Sequence, residues 1–323
     1  MTGFVVGTRG SALAVTQTTT VAEALASAGA PDYEIVRIKT EGDVTAGPLS
    51  QLGGTGVFAA ALRMALLNGE CDVAVHSLKD LPSKQPQGLV IAAVPERVDV
   101  RDALCARDGL TLADLPAGAS VGTGSPRRAA QLRAARPDLV VVDIRGNVGT
   151  RLGRVAGLFR PEDDGGVGRG RLGDLDAVVL AAAGLRRLGL EGHVTEYLDP
   201  SVMLPAPGQG ALAVESRPET ASEGTLAAAL ASLDHGTSRL AVTAERGLLA
   251  RLEAGCSAPI GALARIDGDS LVLEAAVCST DGSRMIRRSL ASTGLALDEA
   301  VALGSDLADE LLGLGAAELA DLG

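Results

Sequence analysis

Two turns in this chain set a serine and nearby arginine directly after an apolar run: GTRGS at residues 7–11 and GTGSPRR at residues 122–128. The backbone N–H groups that open a helix favour an anion, as does the helix dipole, and an arginine fork can close on a carboxylate or phosphate through two bonds. Neither turn has Walker A spacing or a full G-x-G-x-x-G, so no nucleotide is implied. Simple capping by Ser11 and Ser125 is the plainer alternative. Against it stand Arg127 and Arg128, because adjacent cations in a first helical turn oppose the dipole unless an anion compensates them. A third segment, VHSLKDLP at residues 75–82, presents Lys79 and Asp80 as it leaves an apolar run. Ligands of open α/β sheets bind at that end of a strand, although a solvated loop pair would look the same. Cys256 follows Gly255 in RLEAGCSAPIG, where a loop cysteine could be exposed and nucleophilic. Cys71, Cys105 and Cys278 sit in or beside apolar runs and read as small buried fillers. The four cysteines form no C-x-x-C pair and no Cys/His cluster, so neither a disulfide framework nor a metal site is expected.

These residues need elements to position them. FVVGT reads as a strand, and Ser11 opens a helical stretch that closes at Gly29; YEIVRIK (strand), VFAAALRMALLNG (helix), CDVAVHS and GLVIAAV (strands) follow. A second series starts near Arg101, with SVGTGSPRRAAQLRAA, DLVVVDI, NVGTRLGRVAG and LDAVVLAAAGLRRLG alternating strand and helix. Alternation of this kind predicts α/β units with a largely parallel sheet. Val6-Gly7-Thr8 and Val121-Gly122-Thr123 echo each other, by internal duplication or by chance. From about Asp234 the order changes to a helix over 238–253, three strands, and a helix over about 297–312, which predicts a separate α+β domain. Gly157 to Gly173 holds six glycines with Glu162, Asp163 and Asp164, and is expected to be a flexible surface insertion.

Composition narrows the function. With 29 basic and 40 acidic residues among 323, the net charge is −11, which argues against a nucleic-acid or anionic-membrane partner. Trp is absent and Phe and Tyr are few, so base-stacking platforms are excluded. No apolar run approaches the roughly 20 residues of a membrane span, and Arg9 interrupts the N-terminal segment where a signal peptide would be apolar, so a cytoplasmic protein is expected. Within this acidic chain, seven arginines lie between Ser125 and Arg154 against only Asp138 and Asp143. A local excess of guanidinium groups suits a small polyanion.

Six segments, VHSLKDLP, GTGSPRRAAQL, DIRGNVGTRL, AAAGLRRLGL, LPAPGQGALAVE and AERGLLARLEAGCSAPIG, occur in this order and together strongly resemble the porphobilinogen deaminase (hydroxymethylbilane synthase) family. The resemblance spans essentially the whole chain apart from the Gly-rich insertion and the C-terminal tail. It implies two α/β domains like the lobes of type II periplasmic binding proteins, plus a C-terminal α+β domain. Their bounds would be 1–97 with 212–232, then 98–211, then 233–323, with the active site in the cleft between the first two. It also implies a monomeric, metal-free transferase of porphyrin and haem biosynthesis that joins four porphobilinogen molecules head to tail into hydroxymethylbilane and releases ammonia at each addition. The product would grow on a dipyrromethane cofactor made from substrate and held by a thioether to Cys256. Asp80 matches the family's catalytic aspartate, which would hydrogen-bond pyrrole N–H groups and stabilise the cationic azafulvene left when ammonia departs. Lys79, Asp80, Ser125, Arg127, Arg128 and Arg145 match positions that hold the cofactor, and Arg9, Ser11, Arg151 and Arg187 positions that hold substrate carboxylates. Three positions depart from the pattern: Glu41 and Thr55, where basic residues are common, and Ala254, where glycine is usual. The rival readings are a two-lobed solute-binding protein, which would have no use for Cys256 or a third domain, and a cysteine hydrolase, for which His76, His193 and His235 supply no partner motif.

Overall fold

The computed structural model describes residues 3–39, 57–158, 172–255 and 258–320. The chain opens with β1 (Phe4–Thr8), α1 (Ala12–Ser27), β2 (Tyr33–Arg37), α2 (Val57–Leu67), β3 (Val73–Ser77) and β4 (Val90–Ala93). Ser11 is the N-cap of α1, its side chain accepting from the Ala14 N–H at 3.3 Å. Along α1 the buried residues Gln17, Thr18, Val21, Ala22 and Leu25 recur at three- and four-residue spacing, so one stripe meets the sheet. The chain then crosses into β5 (Asp102–Ala106), β6 (Ser120–Gly122), α3 (Pro126–Ala135), β7 (Val140–Val142), α4 (Val148–Leu152), β8 (Ala177–Ala181), α5 (Ala182–Arg187) and β9 (Glu196–Leu198). It returns through β10 (Leu212–Ser216), followed by α6 (Pro218–Ser222) and α7 (Gly224–Leu233).

The first sheet has the order β2-β1-β3-β10-β4 and the second β7-β6-β8-β5-β9. In each, one strand runs antiparallel to both neighbours, and in each it is the strand that has just crossed from the other sheet, β10 or β5. This reciprocal crossover makes two α/β domains of type II binding-protein form. The echoed Val-Gly-Thr triplets occupy equivalent strands, β1 and β6. A Cβ on Gly7 would stand 2.8 Å from the Cys71 sulfur, and one on Gly122 would stand 2.6 Å from a Leu175 methyl, so both strands need glycine for the same close packing.

The third unit comprises α8 (Gly236–Arg251), the antiparallel meander β11 (Ile260–Asp267), β12 (Ser270–Cys278) and β13 (Met285–Ser292), then α9 (Leu297–Gly313) and α10 (Ala316–Ala320). Its core of Leu248, Leu252, Leu271, Leu273, Leu307 and Leu311 is separate from those of the two sheets. Helix α8 lies two residues earlier than the periodicity predicts. Ser238 does not cap it but bridges His235 at 2.8 Å and the Arg97 N–H at 2.8 Å, and Glu253, at φ 52, lies past the helical end. The helix expected over NVGTRLGRVAG stops at Leu152, with Gly153 as its C-cap.

Buried Glu245 of α8 ties the three units together. It accepts from Arg97 at 2.7 and 3.0 Å, from the Gly208 N–H at 2.6 Å and from the Ala264 N–H at 2.8 Å. Arg97 precedes one crossover and Gly208 precedes the other, so the third domain pins both. Glu245→Gln leaves the buried Arg97 cation without its counter-charge, and breaking such a pair costs about 3–5 kcal/mol. Chemical denaturation is expected to show a loss of that size; a midpoint at the wild-type value would refute the hub.

Candidate active site

Strand β3 is buried from Val73 to His76 and ends in a single 3-10 turn, Leu78–Asp80. Four neighbours fix this turn. Gln17 of α1 exchanges hydrogen bonds with the Ser77 hydroxyl at 3.1 and 3.3 Å, and the Leu78 N–H donates to Ala211 O at 3.1 Å. Gly208 lies against it with φ +74, and a Cβ there would approach the Lys79 nitrogen to 3.3 Å, so both conformation and space demand glycine. Arg246 of α8 holds the carbonyls that follow. The result is an exposed Asp80 on a buried footing. It lines one pocket with Arg9, Ser11, Gln17, His76 and Ser77, so residues from two separate motifs converge on one site.

Lys79 points to the crossover. Its Nζ lies 3.5 Å from Gln209 Oε1, and the same oxygen accepts from Arg128 at 3.5 Å. Two cations from different lobes thus share a neutral acceptor. Burial, then the Arg128 charge, push Lys79 down to about 8. A carboxylate placed between them would reverse that shift.

Ser125 caps α3, accepting from the Arg128 N–H at 3.4 Å. The two arginines that follow turn inward onto buried Asp102, Arg127 at 2.8 Å and Arg128 at 2.7 Å. Burial raises the Asp102 pKa, but Arg127 and Arg128 outweigh it and hold the carboxyl well below the usual range. Part of the negative charge that adjacent arginines require therefore comes from the protein itself. Arg127 is buried and also donates to Leu204 O at 2.6 Å, whereas Arg128 reaches Val179 O at 3.2 Å as well as Gln209.

Arg151 donates to Gly146 O at 2.8 Å. Burial, then Arg128 and Arg145, push it down to about 10, while Asp143 and Asp80 act in the opposite sense. Asp80, Arg128 and Arg145 therefore all lie close enough to act on Arg151. Arg145 is exposed, 3.7 Å from Asp143. Arg187, at the end of α5, donates to Gly210 O at 2.8 Å and is pushed by burial down to about 10. Cys256, Glu41 and Thr55 lie outside the described residues, as do residues 159–171 of the insertion expected over Gly157 to Gly173. Ala254, which replaces a usual glycine, packs against the third core.

A second buried carboxylate, Glu215 on β10, underlies this site. Arg63 grips it through Nε and an Nη, Gln85 donates at 2.6 Å, and His76 Nε2 stands 3.4 Å away. Burial raises its pKa, but His76 and Arg63 more than offset this and hold it at about 2. His76 is thus part of the packing between α2, β3 and β10. Asp102, Gln209, Gln17 and Glu245 are residues the sequence reading did not single out. Among the described residues, no group of three or more His, Cys, Asp or Glu could hold a metal, and no helix is long and apolar enough to cross a membrane.

One exposed carboxylate among cationic groups from both lobes can bind an anionic substrate and stabilise positive charge as it develops. The model of the porphobilinogen deaminase dipyromethane cofactor binding domain matches residues 4–223, and that of the porphobilinogen deaminase C-terminal domain matches residues 239–313. Porphobilinogen deaminase of Micrococcus luteus is 60% identical over 303 residues, covering 88% of this chain and 80% of its own. That of Cutibacterium acnes is 57% identical over 333 residues, covering 100% of this chain and 98% of its own. The methionine binding protein MetQ resembles the structure with a TM-score of 0.40 at 11% identity, over 72% of this chain and 89% of MetQ.

Proposed function

Since the chain belongs to the porphobilinogen deaminase family, we propose that Asp80 is its catalytic carboxylate and that the cationic groups around Asp80 hold the carboxylates of cofactor and substrate. The reaction is the head-to-tail condensation of four porphobilinogen molecules into hydroxymethylbilane with release of ammonia, a transferase step of porphyrin biosynthesis. The protein carries the dipyrromethane cofactor of that family. Bound, the group supplies the pyrrole carbon onto which new rings are joined. Its acidic side chains fit the residues present, because Lys79 and Arg128 share one neutral oxygen and both Lys79 and Arg151 carry a charge that a nearby anion would favour. Lys79, Ser125, Arg127, Arg128 and Arg145 are the proposed cofactor-holding residues, with Arg127 acting through Asp102 and the placement of α3, and Cys256 the point of thioether attachment.

Arg9, Ser11, Arg151 and Arg187 are assigned to the carboxylates of the incoming porphobilinogen. The assignment requires the aminomethyl carbon of porphobilinogen to come within reach of Asp80, which lines the same pocket as Arg9 and Ser11. The Asp80 carboxylate accepts from the pyrrole N–H, stabilises the positive charge that spreads over the ring as ammonia leaves, and takes up the proton displaced from the pyrrole carbon that forms the new carbon–carbon bond. The observation that carries this reading is the exposed Asp80 standing among cations contributed by both lobes.

The domain bounds proposed are 1–97 with 212–232, 98–211, and 233–323. A cytoplasmic monomer is proposed, since one chain supplies every group the site needs. Its net charge of −11 weighs against nucleic acid or an anionic membrane as partners. The test is stoichiometric. Holoenzyme incubated with porphobilinogen is expected to release four molecules of ammonia per hydroxymethylbilane; porphobilinogen bound without ammonia release would instead make the chain a solute-binding protein.

A further inference from the structure

Asp80 is exposed, so its position is set by the main chain on either side of it. On the N-terminal side the turn is held by Gln17 at Ser77 and by the Ala211 carbonyl, at the return crossover, which accepts from the Leu78 N–H. The C-terminal side is different. The Leu81 N–H closes the turn onto Leu78 O at 3.1 Å, but Pro82 has no N–H with which to continue it, and the carbonyls that follow need donors from elsewhere. One guanidinium from the third domain supplies them. Arg246 donates to Leu81 O at 3.1 Å, to Pro82 O at 2.7 Å and to Ser83 O at 3.2 Å. Leu81 is buried beside Val242, one turn earlier on the same helix, so packing and hydrogen bonding seat this segment on α8 together.

Helix α8 also ends at Arg251, and Cys256 follows ten residues after Arg246. The helix that leads to the attachment cysteine is therefore the one that grips the residues just after Asp80. We propose that Arg246 is a positioning residue for Asp80, fixing the catalytic carboxylate relative to the cofactor-bearing domain by holding the three carbonyls after it. The inference rests on the assignment of Asp80 made above. A misplacement of about 1 Å at a reacting group can cost about a hundredfold in rate, so the effect falls on turnover rather than on binding.

The test is a double-mutant cycle in the holoenzyme. Arg246→Leu is expected to lower kcat between about tenfold and a hundredfold with KM changed less than about threefold, and to retain the two-pyrrole mass increment. Arg246→Lys, which keeps the charge but cannot span three carbonyls, should fall between Leu and wild type and stands in should the leucine variant fail to fold. In the Asp80→Asn background the same substitutions should cost less than about threefold, because the group they misplace is already disabled. Losses that multiply in full, or a lowered melting temperature with kcat intact, would make Arg246 interdomain packing only. Should Asp80→Asn alone turn over at the wild-type rate, the Asp80 assignment falls and this proposal with it, an outcome visible without any Arg246 variant.

Discussion

Asp80→Asn is expected to reduce porphobilinogen turnover by about a hundredfold or more while the melting temperature and KM stay near wild type. Three features of the site lead to this. The side chain is exposed, so the fold does not depend on burying it, and an amide has nearly the same shape. Substrate carboxylates are assigned to arginines on other elements, so affinity survives. Only the negative charge is lost, at the point where the ring becomes cationic as ammonia leaves. Asp80→Glu keeps the charge but displaces it by one methylene and should fall between the two. Steady-state kinetics beside a thermal melt separate the alternatives: turnover of Asp80→Asn near the wild-type rate would return Asp80 to the status of a solvated loop residue.

Much of this arrangement is legible in the sequence, for reasons that differ from residue to residue. Short continuous apolar runs locate β1 and β3, which are buried on both faces, while helical spacing locates α1, which buries one stripe. The capping serines Ser11 and Ser125 follow from their place after an apolar run. What stays hidden is whatever depends on long-range pairing. Nothing within LAVES itself says which sheet it joins; the resemblance alone assigns 212–232 to the first domain, and β10 does pair with β3 and β4, a choice made by partners more than a hundred residues away. Asp102 looks anomalous at the start of an apolar strand and becomes intelligible only when β5 and the start of α3 are brought together, since its counter-charges are Arg127 and Arg128. The demand of those arginines for an anion could be read from the helix dipole, but not that an internal carboxylate meets part of it. Gln209, a neutral residue in a Pro/Gly-rich stretch, gives no local signal. Its role as the acceptor shared by Lys79 and Arg128 arises from the crossover alone.

Cys256→Ser is expected to leave the polypeptide at its bare sequence mass and without detectable hydroxymethylbilane formation, whereas the wild-type chain carries two linked pyrrole units. Thioether formation needs a sulfur that can present a thiolate, and a serine hydroxyl, which does not ionise near neutral pH, cannot replace it. The other cysteines offer no second route. Cys71, Cys105 and Cys278 are buried free thiols, and burial pushes them up to about 11, 12 and 11 respectively, far from the thiolate form and out of reach of a dipyrrole. The increment should therefore vanish rather than migrate. Intact mass under denaturing, reducing conditions reads the presence of the group, and peptide mapping reads its position. A two-pyrrole increment retained in Cys256→Ser, or mapped in the wild type to any of the three buried cysteines, would overturn the attachment assigned to Cys256, and a fully active wild-type chain at bare sequence mass would overturn the covalent cofactor itself.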